Sequence, residues 1–72
     1  MKNFRITIGT PVNYEELVAY IVINGKYVAL LNQDQGPDLI TVEFLEDYPE
    51  EGVDIEVLTE ALIEAKRILL NG

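Results

Sequence analysis

The chain contains no cysteine, no histidine, no tryptophan and no serine. Each absence removes a class of chemistry. Without cysteine there is no disulfide to staple a small fold and no thiolate for a metal. Without histidine the commonest general base and the commonest nitrogen ligand are both missing. The joint loss of serine and histidine excludes the hydroxyl–imidazole arrangement of nucleophilic hydrolases. Basic residues are scarce too: five Lys and Arg stand against 13 Asp and Glu, for a formal net charge of −8 and a pI near 4.1. Phosphate recognition needs Lys and Arg, so direct binding to nucleic acid or to an anionic membrane is not expected. No apolar run approaches the ~20 residues that cross a bilayer. Behind Met1-Lys2-Asn3-Phe4-Arg5 there is no stretch of signal-peptide type. These absences predict a cytoplasmic binding protein with no cofactor and no metal, rather than an enzyme.

What is present is enough to fold. Of the 72 residues, 49% are hydrophobic, and a chain this short is expected to form one domain over 1–72. Phe4, Ile6 and Ile8 alternate with Arg5 and Thr7, the period of a strand with one buried face. The runs 17–23 and 26–31 are largely apolar and flank Asn24-Gly25. Asn-Gly in that setting predicts a hairpin, because both central residues of a type I′ turn need positive φ. Asp34 to Asp38 reads as a second turn, and 39–45 as a fourth strand with Ile40, Val42 and Phe44 on one side. After that the period changes. Ile55, Leu58, Leu62, Ala65 and Leu69 form a helical apolar stripe. Asp54 is placed to cap it, and Val53 with Leu58 to staple its entry. The expected fold is α+β: a four-stranded antiparallel meander with one C-terminal helix packed on one face, ββββα.

Pairing outward from a two-residue turn sets Ile21 opposite Val28 and Ala19 opposite Leu30, on the side that takes the helix. The other side then carries Val18, Tyr20, Val22, Tyr27, Ala29 and Leu31, flanked by Arg5, Thr7, Thr41 and Glu43. A contiguous apolar patch with two tyrosines has two readings. It is an interaction surface, for a partner or for a second copy of the chain, or it is cross-strand packing that stiffens the hairpin.

The charge is unevenly spread. Through position 33, Lys2, Arg5 and Lys26 face Glu15 and Glu16, a balance of +1; positions 34–72 hold 11 acids against Lys66 and Arg67, a balance of −9. Glu43, Glu46, Asp47, Glu50, Glu51, Asp54 and Glu56 follow one another with no basic residue among them. Such a stretch can imitate a run of phosphates and steer a basic partner, or it can serve solubility alone. Acid–base catalysis by its paired carboxylates would need a raised pKa in an apolar pocket, and solvated loops do not supply one. Asn32, Asp34, Asp38 and Glu43 faintly echo a calcium loop, but Pro37 stands where that loop needs glycine. The candidate partner-binding residues are therefore Tyr20, Tyr27, Glu43, Glu46, Asp47, Glu50 and Glu51.

The segments Tyr14-Glu15-Glu16-Leu17-Val18-Ala19, Gly25-Lys26-Tyr27-Val28-Ala29-Leu30, Gln33 to Asp38, and Glu60-Ala61-Leu62 to Glu64-Ala65-Lys66-Arg67 together resemble small bacterial immunity proteins found with polymorphic toxins. The resemblance runs from about Tyr14 onward and rests on soft motifs, a hairpin and an amphipathic helix. It implies a cytoplasmic inhibitor that blocks a toxin by tight binding and not by chemistry. Phage-encoded inhibitors of bacterial defence enzymes are similar in size and acidity. The functional expectation is an acidic inhibitor that docks on a basic, nucleic-acid-handling protein. The alternative is a domain that homodimerises through its sheet face.

Overall fold

The computed structural model describes residues 4–46 and 50–71. Four strands and a helix follow one another: β1 (Phe4–Gly9), β2 (Val18–Ile23), β3 (Lys26–Asn32), β4 (Thr41–Phe44) and α1 (Ile55–Asn71). The strands form one antiparallel sheet in the order β1-β2-β3-β4. The meander and its single helix are as the residue pattern predicts.

The hairpin between β2 and β3 turns on Asn24 (φ 52°) and Gly25 (φ 79°), with Ile23 paired to Lys26. Two consecutive positive φ values match a type I′ turn, whose twist suits the flanking strands. At the other end of the chain, Asp54 caps α1. Its Oδ1 accepts from the Glu56 N–H at 2.8 Å and the Val57 N–H at 3.2 Å, and its carbonyl accepts from the Leu58 N–H. This satisfies amides that a helix start leaves without partners. Val53 and Leu58 both pack against the core.

The helix lies on β1 and β2. Ala61 and Ala65 are fully buried there, and their small side chains let the helix approach the sheet closely. Below them sit Ala19, Ile21, Ile23, Val28, Ala29 and Leu31, with Phe4, Ile6 and Val42 at the margin. The predicted stripe needs one correction. Ile55 is 77% exposed, because it precedes the first turn that reaches the sheet, and Ala61 takes a central place instead.

The register also differs from a regular hairpin. Val22 pairs with Tyr27, but Ile21 pairs with Ala29 and Tyr20 with Leu30. Val28 is the extra residue of a β-bulge. From there on, β3 is shifted by one relative to the expected pairing. Ala29 and Leu31 face the helix, while Leu30 joins Val18, Tyr20 and Val22 on the opposite side. The reason lies in Asn32. Regular alternation would turn its amide into the aliphatic layer under the helix, at the cost of burying an unpaired polar group. The bulge turns Asn32 to the other face, where its Nδ2 donates to Glu43 at 2.6 Å.

Candidate functional site

The face away from the helix is built around Glu43. Its Oε2 accepts from the Tyr14 hydroxyl at 2.7 Å and from Asn32 Nδ2. Tyr14 belongs to the β1–β2 connection, so this bond carries that connection across to β4. Two further contacts hold the same connection down. The Asp34 carboxylate accepts from the backbone N–H groups of Glu15 and Glu16 at 3.4 and 3.2 Å, and Gln33 Nε2 donates to the Leu17 carbonyl. The carboxylate bond raises the Tyr14 pKa above its ordinary value of 10.0, with desolvation, the charges of Glu43 and Asp34, and Tyr20 adding in the same direction. Asp34 and Glu43 thus serve the chain's own packing, and no group of three or more acids that could hold a metal ion occurs among the described residues.

Tyr20 and Tyr27 meet edge to face, with ring centroids 5.6 Å apart and planes at 81°. This is the favoured arrangement for two rings of like quadrupole. The Tyr20 ring also covers Gly9. A Cβ added there would lie 2.9 Å from its Cε2, so glycine leaves the space that the ring occupies.

These contacts change the expected surface. Val18, Val22 and Leu30 are buried on this side although no helix covers it, and Ala29 and Leu31 have left it through the bulge. The predicted open apolar patch is therefore largely closed, since these aliphatic side chains are buried within the chain itself. Of the two predicted anchors, Tyr20 is half-buried and Tyr27 is 41% exposed.

The carboxylates divide into two kinds. Glu43 is half-buried and internally bonded. Glu46, Glu50 and Glu51 are exposed, and among the described residues no cation pairs with them. Asp47 lies outside the described residues. Glu51 helps line a cleft of about 160 Å³ together with Asn24, Val53 and Asp54, which places Glu51 beside the hairpin turn and the start of α1. Phe44 ends β4 just before this connection and is 74% exposed. The sequence pattern placed Phe44 on one side of the strand with Ile40 and Val42 and did not single it out as exposed. It does share a face with Val42, but it pairs with Ala29 at the sheet margin, and the helix sits over β1 and β2.

No known family model, no characterised protein and no solved structure matches the chain. Among the described residues no helix is long and apolar enough to cross a membrane.

Proposed function

We propose that this chain is a small acidic protein-binding inhibitor, of the immunity type or the phage-encoded type, that docks on a basic, nucleic-acid-handling partner in the cytoplasm. The observation that carries this reading is the exposure of the carboxylates Glu46, Glu50 and Glu51, for which no ion pair is found among the described residues, in the stretch that follows the exposed ring of Phe44 along the chain. Exposed charge together with an exposed aromatic side chain suits fast encounter followed by a desolvated anchor. Asp47 belongs to the same acidic run in the sequence, and Tyr27 adds a second partly exposed ring toward the same end of the sheet.

The mechanism is occupation. Carboxylates stand in for backbone phosphates, so the partner's basic groove is filled without any bond being made or broken. The experiment is competition. A partner identified by capture on the immobilised chain should lose the interaction when duplex DNA or RNA is added in excess. Its action on nucleic acid should stop at stoichiometric inhibitor. A partner that binds the chain and nucleic acid simultaneously, with undiminished activity, would overturn the proposal.

A further inference from the structure

β4 is an edge strand. The Leu45 N–H donates to the Val28 carbonyl at 2.9 Å. Bonding alternates along an antiparallel ladder, so Glu43 and Thr41 also turn their backbone groups toward β3, and Val42 and Phe44 turn theirs outward. On the helix side of this edge the sheet is not fully covered. A groove of about 270 Å³ runs between Leu62 and Lys66 of α1 on one side and Leu31 and Val42 of the sheet, with Ile40 just before β4, on the other. Leu39, which also lines it, is 59% exposed, and Phe44 74%. On the opposite side, Glu43 gives Oε2 to both of its donors, and among the described residues no hydrogen bond reaches its Oε1. Asp38 and Glu46 flank the two ends of the strand, and among the described residues no cation is paired to either.

We propose that the outer edge of β4 receives an extended segment of the partner protein as an added fifth strand, and that this segment alternates apolar and basic side chains. Its backbone bonds to the free groups of Val42 and Phe44. Its apolar side chains enter the groove, and a Lys or Arg between them lies opposite Glu43 and reaches Oε1. Charge favours this occupant over a second copy. Joining two β4 edges in the register that pairs Val42 with Phe44 would set Glu43 of one copy directly against Glu43 of the other, and like charges opposite each other destabilise a strand pair; each chain also carries a net −8. The inference rests on the docking function proposed above and specifies how the basic partner is held.

The test is a titration of the ¹⁵N-labelled chain with a short capped peptide alternating valine and arginine. The largest amide shifts should fall at Val42 and Phe44, with slowed hydrogen exchange at both. A peptide with glutamate in place of arginine should bind at least about tenfold more weakly. Glu43→Gln keeps an acceptor for Tyr14 and Asn32 and should weaken the arginine peptide about fivefold. Val42→Pro removes an outward donor while sparing the inner ladder, and should abolish binding. Absence of binding, shifts confined to 46–51 or to the tyrosine face, or equal affinity for the acidic peptide would overturn the inference. So would concentration-dependent shifts at Val42 and Phe44 without peptide, together with a dimer mass in light scattering, since a second copy would then be the occupant. Failure of the nucleic-acid competition with peptide bound at β4 would overturn the inhibitor function alone. Successful competition with β4 untouched would overturn the strand addition alone.

Discussion

The Tyr14 hydroxyl donates to Glu43 Oε2 at 2.7 Å, joining positions 29 residues apart. The bond ties the β1–β2 connection to the far edge strand. Val18, Val22 and Leu30, on the same side of the sheet, are buried although α1 packs on the other face.

Removing the bond should loosen the connection and leave the core in place. In Tyr14→Phe, amides of residues 12–17 should exchange faster, while those of α1 keep their protection. Hydrogen exchange read by NMR distinguishes this from global destabilisation, which would speed both. The same bond fixes a pH dependence. Tyr14 has its folded-state pKa raised above 10.0, chiefly by the Glu43 bond. The native state then holds this proton more tightly than the unfolded state does. The stabilisation is complete below the unfolded pKa and disappears as pH rises through the folded one. Phenolate absorbance should show Tyr14 of the parent ionising above the ordinary tyrosine value of 10.0, and Glu43→Ala should abolish the delay.

Gly25→Val should destabilise the fold by about 1 kcal/mol or more, because a β-branched residue resists the φ of 79° found there. Nothing lies within 4 Å of a Cβ at this position, so the cost is conformational and not steric crowding. Urea denaturation should show a lower midpoint with an unchanged slope. A midpoint equal to the parent's would exclude a primed turn.

Ala65→Leu should cost about 1–3 kcal/mol by overpacking. Ala65 is fully buried where α1 meets the sheet, and a longer side chain must lift the helix or distort Ile21 beneath it. Ile63→Ala is the control, since Ile63 is 65% exposed, and it should leave the melting curve nearly unchanged.

The periodicities carried the fold because they are local. Asn24-Gly25 specifies its turn through backbone sterics, and Asp54 its cap through one hydrogen bond to each of two neighbouring amides; neither depends on the rest of the chain. The bulge at Val28 was not legible in this way. It depends on where the Asn32 amide finds an acceptor, and that acceptor, Glu43, sits on another strand. A polar residue closing an otherwise apolar run was the available signal. The Tyr14 bond was hidden for the same reason, since Tyr14 reaches Glu43 only once β3 lies between them. Phe44 shares a side with Val42 by alternation, and only the helix's position over β1 and β2 leaves it exposed.

Charge reversal should separate encounter from anchoring. Replacing Glu46, Glu50 and Glu51 together by Lys should leave the fold intact, because exposed carboxylates without a partner contribute little to stability. Association with a basic partner should slow markedly, and the parent's on-rate should fall as salt rises from low to physiological strength. Steering acts through a long-range field that salt screens over about 8–10 Å. Phe44→Ala and Tyr27→Ala should instead raise the off-rate, since a desolvated ring holds the complex after encounter. Tyr20→Ala is expected to act partly through stability, because its ring packs on Gly9 and Tyr27, so its melting temperature must be read beside its kinetics. Stopped-flow mixing over a salt series resolves these effects. A charge-reversed chain that associates as fast as the parent at low salt would mean that the acidity serves solubility, and recognition would then fall to Phe44, Tyr27 and the β4 edge.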